Sequence, residues 1–225
     1  MEPIAHIRTD FASKFGVPRQ AGLVEQLRAV VVLEPPYRAA EVLRGIEGFS
    51  HLWLIWEFSE NRDRGWSPTV RPPRLGGNRR LGVFATRSPF RPNPIGLSCV
   101  GLEGVEWDTA QGPVLHVSGA DLVDGTPILD IKPYIPYADC HPEAVGGFAG
   151  DAPEGGLVVE CPPELLTRVP ESSRAALLGV LAQDPRPSYQ DNPGRVYGFG
   201  FAGLEVRFAV REGVLTVTDI GPSRL

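Results

Sequence analysis

The chain has 225 residues, 42% of them hydrophobic and 22% charged. That is enough apolar material for one large domain or two small ones, and it excludes a disordered or fibrous chain. The net charge of −5 conceals a sharp division: from Arg62 to Arg91 there are eight arginines and one acid, Asp63, whereas residues 92–171 hold thirteen acids. One arginine-dense segment on an acidic protein points to a local polyanion site, the plainer alternative being a solvated basic loop. No apolar run approaches the roughly 18 residues of a membrane helix, and the first residues carry no basic stretch followed by an apolar one. Three cysteines, Cys99, Cys140 and Cys161, form no C-x-x-C pair, so free thiols in a cytoplasmic protein are expected rather than a disulfide framework.

Glycine and proline make up about a fifth of the sequence. Helix interiors reject both, so a turn-rich, mainly β fold is expected. Residues 4–8 read as a short strand, 11–22 as turns and 22–33 as a strand ending at Pro35-Pro36. Residues 38–47 have helical spacing, with Val42, Leu43 and Ile46 on one face. Residues 51–58, aromatic and branched, read as a buried strand. Residues 61–78 form an irregular stretch rich in Pro, Gly and Arg, of a length uncommon unless functional. Residues 81–86 read as a strand, and 87–94, with three prolines in eight positions, as a rigid loop. Further strands are expected at 95–105 and 114–122, and Asp124-Gly125 is a hairpin signal between 121–123 and 126–129. Residues 134–156 lack periodicity, which places a domain boundary near residue 150. Beyond it, a helix over 171–183 capped by Ser172 or Ser173, with β runs at 195–210 and 214–220, predicts a small α+β domain over 151–225.

Gly198-Phe199-Gly200-Phe201-Ala202-Gly203 spells a dinucleotide fingerprint by letter. It runs on into strand rather than into a helix N-terminus, so the phosphate-cradling mechanism is missing. No metal is expected, because Cys140, His141 and Glu143 lack a second pair at ligand spacing. His116, between Leu115 and Val117, reads as a strand residue facing solvent or a neighbour, and His51 reads equally as a core or a site residue. Two constellations are denser. Over 82–96, Arg87 and Arg91 offer planar donor forks for carboxylate or phosphate, and Asn93 offers both donor and acceptor. Flanking prolines would hold these groups in place before a ligand arrives; the plainer reading is arginines capping carbonyls of a rigid loop. Over 121–134, alternation puts Asp130 and Lys132, one of only two lysines, on one strand face. They form either a structural ion pair or, with Tyr134, part of a site beside the Asp124-Gly125 turn.

These constellations, with Pro18-Arg19-Gln20, Gly48-Phe49-Ser50-His51-Leu52-Trp53 and residues 69–77, closely resemble motifs of the TsaA-like (TrmO) family. Residues 182–189 resemble a pattern of its bacterial two-domain members, so the resemblance covers nearly the whole chain. It implies a mainly β protein with a non-Rossmann β-barrel catalytic domain over 1–150 followed by the small α+β domain. It implies a homodimer that transfers a methyl group from S-adenosyl-L-methionine to N6 of N6-threonylcarbamoyladenosine, beside the tRNA anticodon. It places the cofactor against Arg19, Gln20, Phe58, Ser59, Arg87, Leu97 and the turn Asp124, Gly125, Thr126, Pro127. Ala21 stands where the family's first motif has a second proline. With that substrate, Asn93 is expected to hold the carbamoyl group, Lys132 or an arginine such as Arg91 to meet the threonyl carboxylate, and Tyr134 to stack or donate. Arg71, Arg74, Arg79 and Arg80 are expected to contact tRNA phosphates. Two rival readings remain. A same-fold methyltransferase of a small molecule would not bind RNA, and a non-catalytic RNA-binding barrel would not retain the cofactor.

Overall fold

A computed structural model describes residues 1–150, 156–186 and 194–223. The first eight strands are β1 (Ala5–Arg8), β2 (Arg28–Leu33), β3 (His51–Glu57), β4 (Thr69–Val70), β5 (Leu81–Gly82), β6 (Ile95–Glu106), β7 (Val114–Ser118) and β8 (Pro127–Pro133). Six of them close into a barrel in the order β1-β2-β7-β6-β3-β8, every neighbouring pair antiparallel. Closure leaves no open sheet edge. Strand alternation sorts the faces. On β3, Leu52, Leu54 and Trp56 point inward to meet Ile7, Val31, Leu115 and Ile128, while His51, Trp53, Ile55 and Glu57 alternate outward. β4 and β5 pair as a separate two-stranded ribbon within the arginine-dense segment.

Then follow α1 (Pro136–Asp139), β9 (Val158–Glu160), α2 (Pro163–Leu166), α3 (Glu171–Ala182), β10 (Tyr197–Phe201), β11 (Leu204–Arg211) and β12 (Val214–Pro222). The second sheet runs β10-β11-β12-β9, with β9 parallel to β12. α3 buries Ala176, Leu177, Val180 and Leu181 in one core with Phe199, Phe208 and Leu215. Phe11, Val24 and Leu27 belong to this second core, so the segment joining β1 to β2, which carries Pro18-Arg19-Gln20, is anchored there.

The structure differs from the sequence reading where tertiary partners decide. The helical spacing over 38–47 becomes two 3-10 turns, Ala40–Leu43 and Ile46–Gly48, because Gly45 takes φ +86° between them; Leu43 is buried and Val42 exposed. The strand expected at 81–86 stops at Gly82, where the 3-10 turn Val83–Ala85 begins. The strands expected at 22–33 and 114–122 are the shorter β2 and β7. The Asp124-Gly125 turn forms, with the Thr126 N–H donating to the Val123 carbonyl at 3.2 Å and Gly125 at φ +76°. It makes no hairpin: the Asp124 and Gly125 N–H groups donate to the Phe11 and Ile7 carbonyls, each at 2.8 Å. The run at 195–210 is two strands broken at Ala202-Gly203. α3 follows Pro170 without a side-chain cap, and the Ser173 hydroxyl lies 3.2 Å from the Asp10 carboxylate instead. Among the described residues no helix is long and apolar enough to cross a membrane, and all three cysteines are free.

Candidate active site

A cavity of about 530 Å³ opens where β3 ends and β6 begins, a size within the roughly 300–1,000 Å³ of small-ligand sites. Arg19, Gln20, Phe58, Ser59, Arg87, Leu97, Asp124 and Thr126 all line it, and Gly125 and Pro127 complete the turn and strand start that carry Asp124 and Thr126. The rigid loop is fastened to β3 by the Phe58 N–H, which donates to the Pro94 carbonyl at 2.8 Å. Arg87 Nη1 donates to Gln20 Oε1, and Gln20 Nε2 to the Arg19 carbonyl, so the two motifs hold each other. Arg91 also lines the cavity, but its Nη1 donates to the Thr86 and Val83 carbonyls at 2.6 and 3.2 Å. Carbonyl capping therefore describes Arg91 Nη1, whereas Arg87 is exposed and its Nη1 meets the Gln20 side chain instead.

Sequence reasoning missed a buried relay on the cavity floor. Trp56 Nε1 donates to Ser98 Oγ at 2.9 Å, and Ser98 Oγ donates to Asp121 Oδ1 at 2.5 Å. Burial pushes the Asp121 carboxyl above its ordinary range, against the opposing pull of the Ser98 hydroxyl, its own and the Ala21 N–H, and the Arg87 charge. The available signal was Ser98 itself, a buried polar residue at an inward position of β6 between Gly96 and Val100. The raised carboxyl fixes a pH dependence. The folded state holds that proton more tightly than the unfolded one, so the contribution of Asp121 to stability falls as pH rises from about the ordinary carboxyl value of 3.8 until Asp121 ionises in the fold. The melting temperature of Asp121→Asn, taken relative to wild type, should therefore climb between pH 4 and pH 7. Thermal melts across that range check this, and a flat difference would contradict it.

The remaining predicted residues sit elsewhere. Asn93 is exposed at the rim, its carbonyl accepting the Ile95 N–H at 2.8 Å. Lys132 lies on β8 in register with Trp53, its Nζ 3.0 Å from Asp130 Oδ2. The Tyr134 ring lies 5.8 Å from that of Trp53 and 6.1 Å from that of His51. None of these three lines the cavity. Nearby, Trp53 Nε1 and the Ile135 N–H donate to Asp139 at 3.0 and 2.8 Å and hold its carboxyl below the usual range. Arg71, Arg74, Arg79 and Arg80 are exposed around the β4–β5 ribbon, with Arg80 Nη1 donating to Thr69 Oγ1 at 2.8 Å. His116 Nε2 lies 3.0 Å from Glu106, and exposed His51 Nδ1 2.9 Å from Ser50 Oγ. Among the described residues no group of three or more His, Cys, Asp or Glu is placed to hold a metal. The letters at 198–203 form β10 and its turn into β11. Within the family pattern at 182–189, residues 187–189 lie outside the described ones.

The donor set suits a zwitterionic nucleoside carrying a sulfonium. Trp56, Phe58, Leu97 and Leu122 supply apolar faces, Arg19 and Arg87 can meet a carboxylate, and Asp121 and Asp124 can meet cationic groups.

The family model for the tRNA-methyltransferase O N-terminal domain matches residues 6–140, and that for the TrmO C-terminal domain matches residues 159–223. A tRNA (adenine(37)-N6)-methyltransferase of Escherichia coli K12 is 44% identical over 229 residues, covering 98% of this chain and 97% of that protein. One of Eikenella corrodens is 48% identical over 172 residues, covering 76% and 97% respectively. A crystal structure of TrmO from Pseudomonas aeruginosa matches with a TM-score of 0.80 at 38% identity, covering 98% of this chain and 96% of that one.

Proposed function

The chain belongs to the TrmO family, and from that premise we propose that it transfers a methyl group from S-adenosyl-L-methionine to N6 of a tRNA adenine, the N6-threonylcarbamoyladenosine beside the anticodon. One observation carries this reading: residues of three of those motifs, 18–20, 82–96 and 121–134, meet with the end of β3 on the wall of one cavity. The bound cofactor supplies an electrophilic methyl carbon.

The chain's own residues do the rest. The Trp56 and Phe58 rings, 4.3 Å apart and edge to face, make an apolar wall that excludes water. Arg19 and Arg87 hold a carboxylate, and Gln20 orients Arg87. Arg91 fixes the Thr86 carbonyl and with it the backbone that presents Arg87. Orientation of this kind supplies up to roughly 7–11 kcal/mol of a barrier. The target nitrogen belongs to a urea-like group and must lose its proton, so a donor that steadies the developing negative charge assists. Asn93, at the rim, holds the carbamoyl group. Lys132 and Tyr134 lie on the outer barrel face, on which Leu97, Ile55 and Asp130 are aligned in register. We assign them to the threonyl group bound in the partner's cavity of a homodimer. Chemistry resides in residues 1–150. The unit over 151–225 supports the Pro18-Arg19-Gln20 loop through the core it shares with Phe11 and Val24. The protein works in the cytoplasm, where its tRNA substrate is found.

The test is incubation with methyl-labelled S-adenosylmethionine and tRNA carrying or lacking the threonylcarbamoyl group, followed by nucleoside digestion. Label is expected on the threonylcarbamoyladenosine alone. Label on unmodified adenine would overturn the substrate, and no transfer to either tRNA would overturn the reading.

A further inference from the structure

We infer that Trp66, Phe84 and Phe90 form a stacking platform for the unpaired bases that flank the target adenine, at the mouth of the cavity. The inference rests on the tRNA reading above and names what part of the RNA this surface takes. All three aromatic side chains are exposed: Trp66 by 56%, Phe84 by 76% and Phe90 by 36%. Large apolar rings left in water are informative when they cluster. The backbone that bears these three is tied into one unit. The Ser67 N–H donates to the Phe90 carbonyl at 3.2 Å, which brings the residue after Trp66 to Phe90. The Val83 N–H donates to the Pro68 carbonyl at 3.0 Å, which brings the residue before Phe84 to the same strip of chain.

Phe84 is displayed rigidly. It sits in the 3-10 turn Val83–Ala85, whose first carbonyl accepts the Thr86 N–H, the Thr86 hydroxyl and Arg91 Nη1 at 3.1, 2.9 and 3.2 Å. The Arg91 guanidinium lies 5.8 Å from the Phe84 ring. The same loop gives Thr86, Arg87, Pro89 and Arg91 to the cavity wall, so the platform borders the cavity.

Charge selects the occupant. The platform stands in a segment of eight arginines and one acid. Two copies of such a surface would repel each other, whereas single-stranded RNA offers phosphates to the arginines and a flat π face at every base. Paired stems hide those faces, and an anticodon loop exposes them.

The experiment titrates wild type, Phe84→Ala, Phe84→Tyr and Arg79→Ala/Arg80→Ala with a labelled anticodon stem-loop RNA and with a fully paired duplex of equal length, over a salt series. Phe84 is exposed, so its removal should leave the fold intact. Phe84→Ala should weaken stem-loop binding about 10-fold, within the range of one lost base stack, with duplex binding and the salt slope unchanged. Phe84→Tyr should restore affinity, since it keeps the ring. The arginine pair should instead flatten the salt dependence for both RNAs. Unchanged stem-loop affinity in Phe84→Ala, with wild type binding, would overturn the platform and leave the tRNA reading standing. A wild type that binds neither RNA would overturn both. A Phe84→Ala protein that changes from dimer to monomer in sedimentation would make this surface a self-interface and overturn the inference.

Discussion

Arg87→Ala should weaken S-adenosylmethionine binding about 100-fold while leaving the melting temperature within about 1 °C of wild type. Arg87 is exposed on the cavity wall, and among the described residues its one hydrogen bond runs from Nη1 to Gln20 Oε1. A guanidinium has five donors, so most of the fork remains for a ligand carboxylate. Truncating one partner of a desolvated charge pair costs about 2–5 kcal/mol of binding, which brackets a 100-fold loss. Stability changes little because Arg87 is exposed and its pull on the Asp121 carboxyl is weaker than that of burial and the Ser98 hydroxyl; exposed substitutions usually stay within about 0.5 kcal/mol. Arg87→Lys keeps the charge but loses the planar fork, and should fall between the two. Isothermal titration beside a thermal melt measures both effects. An Arg87→Ala protein that binds the cofactor as tightly as wild type would remove Arg87 from the site and the cofactor's carboxylate from that end of the cavity.

The second large effect is on stability. At Gly96 an added Cβ would lie 2.3 Å from Trp56 Cε2 and 2.4 Å from Cζ2, well inside contact distance. Gly96 and Trp56 face each other across the β3–β6 ladder, so the backbone has little freedom to yield. The indole is pinned on its other sides by the hydrogen bond to Ser98 at 2.9 Å and by the Phe58 ring at 4.3 Å. Overpacking of this kind costs about 1–3 kcal/mol, and displacing the indole forfeits a buried hydrogen bond worth about 1 kcal/mol. Gly96→Ala should therefore lose about 3 kcal/mol in denaturant unfolding, equivalent to roughly 6–12 °C for a chain of this length. Adding Trp56→Phe should return part of that loss, because the smaller ring vacates the space the new methyl needs. A Gly96→Ala protein as stable as wild type would mean that β6 shifts away from β3, and that the cavity wall is softer than its packing indicates.

Local features of this protein were decided by neighbours in the sequence. Three prolines in eight residues dictate the loop over 87–94 whatever surrounds it, and Asp124-Gly125 makes its turn because glycine accepts φ +76°; the aromatic and branched run over 51–58 makes β3, but it is apolar on both sides, so only barrel closure decided that Leu52, Leu54 and Trp56 turn inward. The motif residues from Arg19 to Thr126 were legible through family resemblance, not through spacing, since they come from elements that touch only in the fold. The spacing of Val42, Leu43 and Ile46 misled because a 3-10 turn and an α-helix share it over so few residues, and Gly45 chose between them.

Only the tertiary structure decided what each element pairs with. The Asp124-Gly125 turn joins the chain near β1 rather than a hairpin of its own, and Lys132 and Tyr134 lie outside the lining of the cavity that the same turn helps to build. The Trp56–Ser98–Asp121 relay depends on the register of β6 against β3 and on residues 23 positions apart coming together. Register and closure are set by burying the inner faces of all six strands at once, and a one-residue slip would turn an entire strand inside out. That free energy is summed over the whole barrel, so no single stretch of sequence carries it.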